Sequence, residues 1–350
     1  MIQINCRREA SFWDRAPRAG TFGIRSAVAA LAALAALPAV AAELTPVKAG
    51  ISDPVNTVLD MYMAKAAGFY QARGLDVDIV NMNGGSRGAA ELQAGRLDIM
   101  HVGMSSVVKA NLAGGDLRSV AALSNLIRFV LFSPATVKTA AQLKGGVIGV
   151  STFGSESDTT ATLALQRLGL TRADVTVKEY GGGVARLAAI KSGEIAASPL
   201  NEPFTSLALE QGLHPLVDLV TEKIPWLFSS VVVRRADITG RRDLIKRFLA
   251  ATAEGNYLAL SDEARAKQVL AQELKITDAK ILDISYRDFK AQSPPDIEIL
   301  RAGAINILAQ FPQVGDKGGD KLDGFVDTGL IDDLKRDGTF AALQKQYGRK

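Results

Sequence analysis

Short apolar runs alternate with segments whose apolar residues recur at helical spacing through the first part of the chain. An apolar run of four to eight residues is typical of a buried strand, and apolar residues three and four positions apart are typical of a helix. Such strand–helix–strand repeats favour a parallel sheet covered by helices. The pattern predicts strands at 47–51, 75–80, 97–103 and 117–123, and helices over about 57–70, 87–95 and 105–113.

The same layout then begins again. It predicts strands at 145–152, 175–180, 194–200 and 213–219, with helices over about 158–169, 183–193 and 203–211. Two extended apolar segments, 126–133 and 226–233, flank this second block, and helical sequence follows at 241–310 and 330–347. We therefore predict an α/β protein with two lobes, in which the second lobe interrupts the first and the two extended segments form the hinge. A single large doubly wound sheet is the alternative.

The N-terminal segment has the features of a secretory signal peptide. Five arginines and two acidic residues precede an apolar run at 27–40, which ends in Ala41-Ala42. The run is shorter than the roughly 20 residues that a membrane-spanning helix needs. We expect a Sec-type signal cleaved after Ala41 or Ala42, although an ordinary buried helix is the alternative. The predicted organisation is a signal at 1–42, lobe one at 43–127 and 229–350, and lobe two at 128–228.

Removal of this segment changes what the composition implies. The net charge of +4 falls to +1, because five arginines leave together with two acids. The basic footprint expected of a nucleic-acid-binding protein is then absent. The only cysteine, Cys6, leaves as well, so no disulfide, thiol chemistry or lipid anchor at the cleavage site is expected. An exported protein without an anchor is retained most simply in a periplasm.

Loops rich in glycine and serine follow the predicted strands. Ligands bind beyond the carboxyl ends of strands in open α/β sheets. Free N–H groups and the helix dipole at helix starts favour an oxyanion there, although each serine can equally be only a helix N-cap. The loop residues are Ser52, Gly84, Gly85, Ser86, Gly103, Ser105 and Ser106 in the first block, and 151–158, 181–183, Asn201 and Glu202 in the second.

The two histidines are isolated from other metal-ligating residues. His101 lies within a predicted strand and His214 in a polar loop, so packing or solvent contact is expected of both. The sequence also contains no HExxH, GxSxG or phosphate-loop pattern. We expect no metal, no cofactor and no catalytic residue.

Five further residues allow two interpretations each. Asp158 and Glu202 could form an acid/base pair, but helix capping is the ordinary role for Asp158. Trp226, on an extended segment, could stack on a ligand or fill the core. Arg128 and Arg234 could pair with a ligand carboxylate or sulfonate, or remain solvated or ion-paired within the protein.

Several linked motifs resemble one family over nearly all of the chain after the predicted signal. The segment MAKAAGFYQARGLDVDIVNMNGG (63–85), followed by ELQAGRLDIMHVG (91–103), resembles the start of periplasmic binding proteins of the nitrate, sulfonate and taurine type. The similarity continues at 142–158, 183–203 and 328–338. Ala196 stands where the family pattern usually has an aspartate. This difference concerns the packing of one loop in the second lobe and leaves the expected fold unchanged.

The resemblance implies a type II periplasmic binding fold that captures a small, often anionic, organic solute and delivers it to the permease of an ABC importer. We expect a monomer. A periplasmic subunit that senses a ligand for a membrane receptor is one alternative, and an enzyme similar to the fungal thiamine-pyrimidine synthase is another. Carried over by position, the implied ligand contacts are Ser52, Asn56, Gly85, Ser86, Ser105, Ser106, Ser155, Ser157, Asp158, Asn201 and Glu202.

Overall fold

The strands lie close to where the apolar runs place them. The computed structural model describes residues 43–314 and 318–348, so the predicted signal peptide lies outside the described residues. The described strands are β1 (Thr45–Ile51), β2 (Leu75–Asn81), β3 (Ile99–Val102), β4 (Leu117–Leu126), β5 (Val130–Ser133), β6 (Val147–Val150), β7 (Thr176–Glu179), β8 (Ser198–Leu200), β9 (His214–Asp218) and β10 (Pro225–Arg234).

The helices alternate with the strands as far as α7, except that β5 follows β4 directly, and helices follow β10. The described helices are α1 (Leu59–Ala66), α2 (Gly85–Gln93), α3 (Met104–Leu112), α4 (Ala140–Leu143), α5 (Glu156–Arg167), α6 (Gly183–Ser192), α7 (Phe204–Glu210), α8 (Arg235–Gly240), α9 (Arg242–Ser261), α10 (Glu263–Leu274), α11 (Ala279–Gln292), α12 (Arg301–Leu308), α13 (Gly329–Arg336) and α14 (Thr339–Gln346). The predicted α/β fold class is confirmed.

The first sheet has the strand order β2-β1-β3-β10-β4. Strand β1 pairs in parallel with β2 and with β3, through the strand–helix–strand units that the pattern predicted. Strand β10 is antiparallel to both of its neighbours, β3 and β4. The carboxyl ends of β1, β2 and β3 therefore lie at one edge of this sheet.

The second group of strands repeats this arrangement. Strand β5 lies between β8 and β9 and is antiparallel to both, and β6 pairs in parallel with β7. A bridge between Ile148 and Ala197 brings β6 beside the start of β8. The resulting order β7-β6-β8-β5-β9 matches that of the first sheet. In each group the antiparallel strand comes directly after the chain has crossed from the other group.

The two extended segments are strands rather than free connectors. Residues 226–233 lie within β10, in the interior of the first sheet, and all of them are buried. Residues 130–133 are β5, in the middle of the second group. The chain instead crosses between the groups at 127–129 and 219–224. A continuous apolar run fits a connector and a buried central strand equally well, so the pattern could not place this boundary. The division into two lobes remains a prediction.

The long helix α9 packs directly on α1, beside the first sheet. A Cβ atom at Gly255 would lie 2.3 Å from the carbonyl oxygen of Asp60, so only glycine permits this close backbone approach. Leu59, Met63 and Phe248 are fully buried in the same core. This packing fixes the position of α1, and with it the loop after β1 that precedes α1.

Candidate solute-binding cleft

Loops at the carboxyl ends of parallel strands enclose a cavity between the first sheet and the second group. Its volume is about 70 Å³, which is room for roughly five to seven water-sized groups. The first sheet and the residues next to it contribute Ser52, Asp53, Val55, Thr57, Gly85, His101, Val102, Gly103, Ser106, Phe228 and Ser229. The crossing segment contributes Phe129, and the second group contributes Ser151, Ser155, Glu156, Ser157, Arg186 and Asn201.

Six of the twelve residues predicted from the sequence line this cavity. They come from both sheet groups, because the loops after parallel strands converge as the general rule for such sheets requires. The six are Ser52, Gly85, Ser106, Ser155, Ser157 and Asn201.

Two predicted serines do not line the cavity and instead bridge its two sides through their backbone N–H groups. The N–H of Ser86 donates to Thr152 Oγ1 at 3.2 Å, and the N–H of Ser105 donates to Glu156 Oε1 at 2.7 Å. The hydroxyls of both serines are buried without a hydrogen-bond partner. Both N–H groups belong to first turns of helices in the first block, and both of their acceptors lie in the second. These contacts tie the two sides of the cleft together.

Three predicted polar residues lie away from the cavity. The Asn56 amide donates to the carbonyl of Ser285 at 2.9 Å and so anchors α11. Asp158 accepts from the N–H of Gly154 and pairs with Arg172 at 2.6 Å, which is a structural role. Glu202 accepts from two hydroxyls of α7. Asp158 and Glu202 therefore do not form the acid/base pair that the sequence left open.

The three other open residues are also committed to internal contacts. Arg128 forms an ion pair with Asp288, and Arg234 pairs with Asp237 at 2.7 Å. Trp226 is 1% exposed and therefore fills the core. Neither of the two arginines lines the cavity, and neither does Trp226.

His101 lies within β3, as predicted, and its side chain also forms part of the cavity wall. Its Nε2 is 3.0 Å from the carbonyl of Thr57 and 2.9 Å from Ser229 Oγ. Burial lowers the pKa of His101 to about 4. The ring is therefore neutral at physiological pH. His214 lies at the half-buried start of β9, where Ser133 donates to its carbonyl.

Three serines after β6 form a closed triangle of hydroxyls. Ser151 Oγ lies 2.9 Å from Ser155 Oγ, and Ser157 Oγ lies 3.0 Å from each of the other two. Ser155 also caps α5, accepting from the N–H of Asp158. Ser155 is therefore a helix N-cap, and it also lines the cavity.

Glu156 crosses the cleft to the N-terminus of α3. Its Oε1 accepts from the N–H of Ser105 and its Oε2 accepts from Trp226 Nε1, each at 2.7 Å. A Cβ atom at Gly103 would lie 2.0 Å from Glu156 Cγ, so the glycine leaves the space that this side chain fills. Burial raises the pKa of Glu156 to about 7, and hydrogen bonding to Trp226 and Ser105 only partly opposes this.

Asp53 makes the reciprocal contact, from the first block to the N-terminus of α6. Its Oδ2 accepts from the N–H of Gly183 at 2.5 Å and lies 4.0 Å from Arg186. Burial raises the pKa of Asp53, while the guanidinium and the Gly183 N–H oppose the rise. Each side of the cleft thus places a carboxylate on a helix N-terminus of the other side, where an anion is stabilised.

Arg186 is the one cation among the described residues that line the cavity, and it is already engaged. Its guanidinium donates to the carbonyls of Gly181 and Pro199 and pairs with Asp53. Burial lowers its pKa to about 10, so the group stays charged at neutral pH. With both carboxylates ionised, which for Glu156 requires a pH above about 7, the cavity wall carries one more negative than positive charge.

The sequence prediction missed Asp53, Glu156 and Arg186. Asp53 directly follows a predicted contact, Ser52, and Glu156 lies between Ser155 and Ser157. The sequence prediction names the hydroxyl residues beside them, and takes its carboxylates from Asp158 and Glu202, which lie away from the cavity. Only the pairing across the cleft shows why carboxylates stand there.

The fold and the cleft define a class: two similar α/β groups with a cavity between their strand ends, as in periplasmic binding proteins. The chain belongs to the NMT1/THI5-like family, whose model matches residues 56–266. The resemblance found in the sequence is confirmed. Among the residues that the structure describes, no helix is both long and apolar enough to cross a membrane.

Solved structures with this fold include a protein from Bordetella bronchiseptica RB50, with a TM-score of 0.74 and 20% identity over 88% of this chain and 99% of that one. The periplasmic aliphatic sulphonate binding protein SsuA from Escherichia coli has a TM-score of 0.57 and 24% identity, over 72% of this chain and 84% of that one. At these identities the likeness shows the fold alone.

A curated relative is also similar in sequence. The riboflavin-binding protein RibY of Chloroflexus aurantiacus is 27% identical over 212 residues, which is 58% of this chain. The match spans 59% of the length of that relative.

Proposed function

We propose that this chain is the extracytoplasmic solute-binding component of an ABC importer, which encloses one small solute in the cleft and delivers it to a membrane permease. The observation that carries the proposal is the cavity itself. It lies at the strand ends of both sheet groups, has hydroxyl, carboxylate and guanidinium groups in its wall, and is bridged by hydrogen bonds between the two groups. The names of similar proteins, which are binding proteins for a sulphonate and for riboflavin, support the same class.

Solute capture and release require the cleft to open. The chain passes between the groups only at 127–129 and 219–224, and few-residue crossings can absorb such a rotation. A solute that contacts both sides binds the closed state better and shifts the population towards it. We therefore propose closure about these two crossings.

The chemistry of the solute is a finer question. The sequence suggested an anion, but the carboxylates of Asp53 and Glu156 already occupy two of the helix N-termini that were expected to bind it. Like charges about 4 Å apart repel by about 4 kcal/mol at an effective dielectric constant of 20. Once Glu156 is ionised, at a pH above about 7, the cavity charges therefore argue against an anionic solute.

The test begins with the protein exported from a Gram-negative host with its N-terminal segment. N-terminal sequencing should give Ala42 or Glu43 as the first residue, and native mass spectrometry should find one unmodified small molecule per chain. Uptake of that molecule should require both this protein and a permease. A protein that turns the molecule over, or that is needed only for a signalling response, would contradict the proposal.

A further inference from the structure

The cavity wall offers two carboxylates and no uncommitted cation among the described residues. Asp53 and Glu156 both line it, and Arg186 is held by backbone carbonyls and by Asp53. A carboxylate oxygen can accept more than one hydrogen bond. Each carboxylate therefore keeps acceptor capacity for a donor group of the solute.

The two carboxylates are held in place by contacts within the protein, so an anionic solute would not readily displace them. Glu156 fills the space left by Gly103 and accepts from both Ser105 and Trp226. An anion at the N-terminus of α3 would have to expel this side chain from a place with two good hydrogen bonds. It would also leave the buried indole N–H without a partner, which is costly.

Two further side chains remain free to bind a ligand. Ser106 lines the cavity, is fully buried, and its hydroxyl has no hydrogen-bond partner. Asn201 lines the opposite side and is 5% exposed. Buried polar groups without partners are rare in folded proteins, and each calls for an explanation such as a ligand. A small polar solute in this cavity would give the Ser106 hydroxyl a partner and would also meet the Asn201 side chain.

We propose that the solute carries a positively charged nitrogen group of the amidinium or ammonium type, held between the carboxylates of Asp53 and Glu156. Ser106 and Asn201 then bind the polar remainder of the solute. The small cavity restricts this group to a few non-hydrogen atoms. The inference rests on the proposed solute-binding function and names the class of solute.

Two sets of probes that share shape and differ in charge test the charge preference directly. Acetamidinium, acetamide and acetate form one set, and guanidinium, urea and nitrate form the other. The readouts are the NMR signals of the Trp226 indole N–H and of the Ser105 and Gly183 amides, which donate to the two carboxylates. Trp226 is the only tryptophan in residues 43–350, so its indole signal is unambiguous.

We expect the two cations to shift these three signals to saturation at concentrations at least about tenfold lower than their anionic counterparts, with the neutral probes between. Glu156→Gln and Asp53→Asn should each weaken acetamidinium binding by about tenfold or more, since each removes a charge-assisted hydrogen bond. Glu210→Gln, at the exposed end of α7, should change nothing. The order of probe affinities is measured on the unaltered protein, so it tests the inference even if one variant fails to fold.

Acetate or nitrate binding at these signals more tightly than its cationic counterpart would overturn the inference and leave the solute-binding function intact. The same holds if both variants bind acetamidinium as well as the unaltered protein does. If no probe of any charge saturates these signals, the inference is overturned as well, and the co-purified molecule then decides the proposed function separately.

Discussion

Replacing Glu156 with glutamine should remove one component of the pH dependence of stability. The side chain is 8% exposed, and burial raises its pKa from 4.5 to about 7. Since one pKa unit corresponds to about 1.4 kcal/mol, this rise amounts to about 3 kcal/mol in favour of the protonated form of the folded protein. Glutamine resembles the protonated acid in shape and cannot ionise.

The direction follows from where the proton is held. Between pH 4.5 and about 7 the folded protein keeps a proton on Glu156 that the unfolded chain releases. The contribution of this group is therefore full below pH 4.5 and lost as the pH rises through about 7. Between pH 5 and pH 8 the variant should gain roughly 2–3 kcal/mol of unfolding free energy relative to the unaltered protein.

Urea unfolding at pH 5 and pH 8, followed by Trp226 fluorescence, measures both free energies. Other titrating groups, such as His101 and Asp60, contribute equally to the two proteins and cancel in the difference. Glu210→Gln serves as the matched control and should show no such gain. A difference between variant and unaltered protein that is the same at both pH values would refute the reasoning.

Three further predictions concern the same cleft and its support. Gly103→Ala should expel the Glu156 carboxylate, because the new Cβ would lie 2.0 Å from Glu156 Cγ. The Trp226 indole N–H signal should then shift, and the free energy of unfolding should fall by about 1.5–3 kcal/mol. Gly240→Ala, with no atom within 4 Å, is its control, and an unchanged indole signal in the first variant would contradict the contact. Gly255→Ala should lower the free energy of unfolding by about 1–3 kcal/mol, since its Cβ would lie 2.3 Å from a backbone oxygen of α1. The urea midpoint should fall accordingly, and an unaltered midpoint would count against that packing. Acetamidinium affinity should rise about tenfold from pH 6 to pH 8, because the cation favours ionised Glu156, and calorimetry that shows no proton release on binding would disprove the coupling.

Local pattern was sufficient for most of the framework. The alternation of apolar runs with helical spacing located the strands around Gly50, Met100 and Gly149, because strand and helix periods differ and depend on neighbouring residues only. The glycine- and serine-rich loops also marked the correct edge of the sheets, since parallel strands place their carboxyl ends together. Half of the predicted site residues reached the cavity for this reason.

Tertiary structure decided the rest. Whether residues 226–233 form a connector or a central strand depends on their partners in β3 and β4, which are more than a hundred residues away in the chain. The roles of Asp53 and Glu156 depend on helix N-termini contributed by the opposite side of the cleft. The sequence by itself determined most of the secondary structure and the repeated α/β layout, because these follow from local spacing, and its linked motifs identified the family by resemblance. The charge of the cavity depends on which side chains meet across it, and only the folded chain brings them together.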